Sequence, residues 1–403
     1  METFYDTQSL IDDEIESLEG MTCDIYKFQQ AVIWGTDWTT ETLNNQLVKG
    51  NIDLNPSFQR RDAWTDSEKS KLIESLMLGL PVPPIILAEN KNKKNSYIVI
   101  DGKQRLLSIR RFFSDTKESG FEPLKLRSLT VLKELNGTTI TTIRDKYSEY
   151  IRNIENQTIR AIIIKNWPDE PFLYTVFLRL NTGSKKLSPQ ELRQALKPGK
   201  FLDYLDEATA NSDIIKKMLG NKSADTRMKD IEITLRFFAY YYFFNEYTGN
   251  LKEFLDMTCE KLNASWDEKE EEIKSLFAEY EKTIEFCFEI MNTKSPFSRY
   301  SLGESGNRFN RSIFELFTFY FINDNIKELV KEDCSNFITL FKQMNDDPDF
   351  VTAVSGSTKE ISNLAVRFSK FQDILKCLKN AESASIPKVE LFEGKLTITN
   401  FPC

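Results

Sequence analysis

Val99-Ile100-Asp101-Gly102-Lys103-Gln104-Arg105 decides the fold of the first half of the chain. Apolar residues run up to Asp101-Gly102, and beyond it Leu106, Leu107, Ile109 and Phe113 recur at helical spacing. The stretch therefore predicts a strand that turns directly into a helix. At such a junction glycine lets the backbone approach a ligand, and the first helical N–H groups point at any anion placed there. Arg105 adds a two-pronged phosphate donor and Lys103 a point charge. Asp101 suits an anion site only if a cation bridges it to the phosphate, which is the usual way Mg²⁺ binds. An ordinary Asp-Gly turn before a capped helix accounts for the same residues without a ligand.

Working outward, Ile85-Ile86-Leu87 follows the extended Pro81-Val82-Pro83-Pro84 and predicts a strand ahead of the lysine-rich turn Lys91–Asn95. Upstream, Thr40–Lys49 has helical spacing, Ile52–Leu54 is a short strand candidate, and Pro56-Ser57-Phe58-Gln59-Arg60 is a loop. Thr65 or Asp66 can cap a helix running through Lys71–Met77 to a stop at Gly79. Downstream, Ile159–Ile164 is a β-branched strand and Phe172–Leu180 reads as a helix. The polar turn Arg179-Leu180-Asn181-Thr182-Gly183 precedes Ser188-Pro189-Gln190-Glu191, in which Ser188 caps, Pro189 opens and Glu191 closes a capping box.

From Phe201 onward the pattern becomes long amphipathic helices: Phe201–Leu219, Met228–Tyr247, Leu251–Leu262, Lys269–Met291, Arg311–Ile322, Cys334–Gln343 and Ile361–Leu378. A hairpin turning at Glu393-Gly394 closes the chain. The organisation expected is an acidic arm over 1–21, an α/β domain over 22–200 and a helical domain over 201–403. In Phe237–Phe244 seven of eight residues are aromatic, enough to cover every side of a helix. Such a run is expected to be buried, within its own domain or against a second copy in a homodimer.

Composition narrows the chemistry. The 403 residues include no histidine, which removes His-metal nucleases, Ser-His-Asp hydrolases and any histidine general base. Catalysis, if present, must run on carboxylates, amides, lysine, arginine and a divalent metal. Six cysteines stand singly with no CxxC pair, the pattern of reduced intracellular thiols. The first 20 residues hold Asp6, Asp12, Asp13, Glu14, Glu16 and Glu19 without a base, so no signal peptide is expected; no apolar run is long enough for a membrane span, and the location expected is cytoplasmic. The net charge is −8, yet Ile85–Arg127 carries ten bases against five acids and Arg179–Lys200 six against one. Basic islands in an acidic chain suggest a polyanionic partner, unless they are merely a solvated mixed surface.

Taken together, Pro56–Trp64, Gly79–Ile85, Asp101–Arg105, Arg179–Gly183 and Leu187–Arg193 resemble the signatures of the N-terminal domain of GmrSD-type modification-dependent restriction endonucleases. Arg227-Met228-Lys229-Asp230-Ile231-Glu232 is also similar to the family. The resemblance implies a ParB/sulfiredoxin-like α/β fold, followed here by helices in an α+β protein. It implies a nucleoside triphosphatase in antiphage defence, working with Mg²⁺ or Mn²⁺ and directed at DNA. Asp101, Gln104 and Arg105 would then be catalytic, with Asp101 also the metal ligand. Gln59, Arg60, Gly102, Lys103, Asn181 and Gly183 would bind the nucleotide. Lys103 departs from the glutamine usual at its position, which keeps a phosphate contact while altering hydrolysis. Many relatives carry an HNH nuclease domain that needs histidine, so this chain is expected to be a stand-alone form. The alternatives are a non-catalytic DNA- or protein-binding module, gripping DNA through Lys91–Lys94, Arg110 and Arg111, or a metal-dependent nickase. A partner defence protein remains possible in each case.

Overall fold

The structure is a computed structural model describing residues 29–52, 54, 64–91, 93–115, 121–169, 172, 173, 175, 176, 188–299 and 309–401. No helix among them is long and apolar enough to cross a membrane. The described residues up to Leu196 form one compact unit and those from Lys197 onward a second.

The first unit is mixed α/β. Its elements are β1 (Val32–Thr39), α1 (Thr40–Val48), α2 (Asp66–Met77), β2 (Ile85–Glu89), β3 (Tyr97–Asp101), α3 (Lys103–Phe113), α4 (Ile140–Lys146), α5 (Ser148–Asn156), β4 (Thr158–Lys165) and α6 (Pro189–Leu196). The sheet order is β1-β4-β2-β3, with β4 and β2 parallel and the outer pairs antiparallel. β-Branched runs supply strands that must be buried on both faces. Ile86, Ala88, Ile100 and Ile164 pack with Trp167, Phe172, Leu173 and Leu192 of α6. The alternate residues Ile85, Leu87, Ala161 and Ile163 point to the opposite face and are equally buried. Helices α1, α2, α3 and α5 pack on one another.

Local chemistry sets the boundaries. Thr65 caps α2 in a full capping box with Glu68. Of the strand expected at Ile52–Leu54, the described residues show one bridge, Ile52 to Tyr97. Strand β1 was not expected: Trp34 and Ile33 are exposed on this edge strand, so the alternation that marks a half-buried strand is missing.

The second unit is helical: α7 (Lys200–Asn211), α8 (Asp213–Leu219), α9 (Lys229–Phe243), α10 (Leu251–Ala264), α11 (Trp266–Met291), α12 (Arg311–Phe321), α13 (Asp324–Glu332), α14 (Cys334–Asp346), α15 (Pro348–Ser355) and α16 (Ile361–Lys376), closed by the hairpin β5 (Lys388–Phe392) and β6 (Lys395–Thr399). The single helix expected over Phe201–Leu219 is two. Ser212 takes an extended conformation, ends α7 and accepts from Ile215 N–H to cap α8. In the aromatic run, Phe237, Phe238 and Tyr240 are buried and Phe237 stacks on Tyr280. Phe317 in turn meets Phe337, Phe341 and Phe371. Ring contacts of this kind add to the burial of each side chain.

Candidate functional site

The junction of β3 and α3 is built as its sequence predicts. Ile86 of β2 pairs with Asp101, the last residue of β3, and Gly102 turns the chain with φ +99°. A Cβ at Gly102 would lie 2.6 Å from Ile85 Cγ2, so both conformation and space require glycine here. Leu106 N–H begins the helix by donating to Gly102 O, and no side chain caps the N-terminus of α3. Backbone N–H groups at the start of a helix are the anion-receptive feature that a junction of this kind offers.

Arg105 is drawn back over this turn. Its Nη2 donates to Asp101 Oδ2 at 2.7 Å and to Pro84 O at 3.0 Å, and it is buried. Arg105 also ties the proline-rich entry of β2 to the end of β3. The Asp101 side chain stays more open, at 28% exposure. Lys103 is buried as well, with Nζ 3.2 Å from Glu191 Oε1. Glu191 has two functions, because its other oxygen accepts from Ser188 N–H at 2.7 Å to close the capping box of α6. The sequence shows the capping box; it gives no signal for a partner 88 residues away.

Asp101, Gly102, Lys103, Gln104 and Arg105 are thus gathered on one turn, with Gln104 half-buried. Gln59, Arg60, Asn181 and Gly183 lie outside the described residues. Of the cations proposed for gripping DNA, Arg111 donates to Asp66 Oδ1 and Glu122 O, and Arg110 is buried over the Phe121 ring. Burial pulls the Arg110 guanidinium below its ordinary range, with Asp115 opposing. Lys91 donates to Pro168 O and sits 4.1 Å over the Trp167 ring, at the end of the sheet remote from Asp101. Among the described residues no group of three or more carboxylates or cysteines converges to hold a metal.

Comparison with known proteins gives one match, within the α/β unit. Residues 41–196 match the family model of the GmrSD restriction endonuclease, N-terminal domain. The match includes α1 through α6 and hence the whole β3–α3 turn with its Glu191 counter-ion. No curated protein and no solved structure matches the chain. The GmrSD N-terminal domain points to a component of a restriction or defence system.

Proposed function

We propose that the β3–α3 turn of the GmrSD N-terminal domain binds a nucleoside triphosphate with Mg²⁺ or Mn²⁺ and hydrolyses it, in a system that acts on DNA. The observation that carries this reading is the uncapped helix start at Gly102, with φ +99°, flanked by Lys103 and Arg105. Phosphate oxygens would accept from the first-turn N–H groups of α3. Arg105 would place a guanidinium against the phosphates while remaining anchored to Pro84 O.

One partly exposed carboxylate, Asp101, suits Mg²⁺, which commonly takes one or two protein carboxylates and completes its shell with water and phosphate. The ion would neutralise charge on the phosphates and polarise them. Asp101 would orient it, Gln104 lies on the same turn for the attacking water, and Lys103 is held by Glu191 for the loop's own shape. With no histidine in the chain, the proton of the attacking water would pass to a carboxylate or to a phosphate oxygen, while Gln104 could orient that water but not deprotonate it.

Calorimetric titration of the four nucleoside triphosphates, with and without Mg²⁺, tests the reading. Asp101→Asn should lose the Mg²⁺ dependence of binding and the phosphate release that accompanies it. Arg105→Ala should weaken affinity by about 10- to 100-fold, the value of a charge-assisted hydrogen bond. Binding that is unchanged in a folded Arg105→Ala chain, or hydrolysis that persists in EDTA, would remove these residues from the roles given.

A further inference from the structure

Helix α6 carries two buried glutamines one turn apart. Gln190 and Gln194 both lie about 200° around the helix from Leu192, which packs in the sheet core. Gln190 is fully buried and Gln194 is 2% exposed. Gln190 Oε1 accepts from Arg193 Nη1 at 2.7 Å, but its Nε2 has no hydrogen-bond partner. Neither Nε2 nor Oε1 of Gln194 has one. Buried polar atoms without partners are rare in folded proteins, and each calls for an explanation. Three of them on two residues of one short helix are a concentrated cost.

Their position suggests what repays it. Glu191 lies between the two glutamines in sequence and holds Lys103, so α6 is fastened to the first residue of α3. A fourth unpartnered atom, Arg105 Nε, belongs to the same turn. Together the four offer three donors and one acceptor. Phosphate oxygens only accept and could satisfy the donors, but not Gln194 Oε1. A group presenting a donor beside an acceptor is needed, and the edge of a nucleobase is such a group. A carboxamide is the side chain that matches a base edge with two hydrogen bonds.

We propose that Gln190 and Gln194 read the base of the nucleoside triphosphate whose phosphates occupy the Asp101–Arg105 turn. This rests on the reading of that turn given above, and the test separates the two. The full chain is titrated with each nucleoside triphosphate, with inorganic tripolyphosphate and with a short single-stranded oligonucleotide. Wild type should prefer one nucleotide, and bind it about 10- to 100-fold tighter than tripolyphosphate. Gln194→Leu should erase that preference while leaving tripolyphosphate affinity within about twofold. Its ligand-free melting temperature should not fall, because an unpaired carboxamide has been replaced by an apolar group of similar size. Gln194→Met serves the same purpose if the branched side chain does not fit.

Retained base preference in both variants overturns the proposal, and so does an equal loss of tripolyphosphate affinity, which would mark a structural role. Loss of oligonucleotide binding with nucleotide binding intact would assign the glutamines to a base in DNA and also overturns it. If wild type binds neither nucleotide nor tripolyphosphate, the reading of the turn itself fails, and the base-reading role fails with it.

Discussion

In the helical unit Glu315 lies between two guanidiniums: its Oε1 accepts from Arg236 Nη1 at 3.0 Å and its Oε2 from Arg367 Nη2 at 2.7 Å. In the α/β unit the buried carboxylate of Glu74 is held instead by backbone. Its Oε1 accepts from the N–H groups of Val131 and Leu132 at 2.8 Å each, and its Oε2 from Thr130. The difference follows the architecture. Helices satisfy their own backbone, so a charge buried among them must find another charge. Between sheet and helices the chain runs through irregular segments with spare N–H groups, and a carboxylate can serve as their anchor. The β3–α3 turn is another junction outside regular structure, and no side chain caps the start of α3.

The sharpest way to break this comparison is Glu315→Ala. Arg236 keeps Glu232 and Arg367 keeps the Thr358 carbonyl, but both guanidiniums lose their shared counter-ion in an aromatic interior. Breaking a buried pair from one side costs about 3–5 kcal/mol. Denaturant unfolding followed by tyrosine fluorescence should show that loss in the helical unit. A cost no larger than that of Glu74→Ala would mean that the two carboxylates do the same work.

Next in size is Gly102→Ala. The left-handed conformation costs an alanine about 1–2 kcal/mol, and the contact with Ile85 Cγ2 adds overpacking of about 1–3 kcal/mol. Gly50→Ala is the control, because Gly50 has φ +66° but nothing within 4 Å of an added Cβ. The expected result is a melting temperature lowered clearly more at 102 than at 50. Equal effects would show that Ile85 yields and that the turn is set by φ alone.

What could be read from the residues follows the same division. The β3–α3 turn, a cap at Thr65 or Asp66, the capping box at Ser188 and the terminal hairpin are written in neighbouring residues, and all are found, the first cap being Thr65. The short helices α4, α5, α13 and α15 were missed, since seven to nine residues give too few turns for a clear period. In the site, residue types were legible but pairings were not. Lys103 and Arg105 both read as phosphate ligands; in the fold Lys103 meets Glu191, and Arg105 meets Asp101 and Pro84. Gln190 and Gln194 gave no sign of their burial, because a glutamine on a helix is ordinarily solvated.

The smallest expected effect sharpens the comparison by its dependence on pH. Burial works against the charge on Glu74, yet N–H groups of Leu132, Val131 and Thr130 and the Thr130 hydroxyl outweigh it and hold the carboxyl below its ordinary value of 4.5. A depressed folded-state value stabilises the protein above the unfolded-state value and ceases to do so as pH falls through the folded one. The contribution is therefore constant at neutral pH and declines below about pH 4.5. Glu74→Gln keeps the shape but gives up the charge-assisted bonds, at a cost of about 1.5–3 kcal/mol at pH 7. Unfolding of wild type and variant between pH 7 and 3 should show two curves that run parallel at neutral pH and converge on acidification. If the gap is the same at pH 3.5 as at pH 7, Glu74 is not holding residues 130–132 through its charge, and the α/β unit does not anchor its loops in the way the contrast with Glu315 requires.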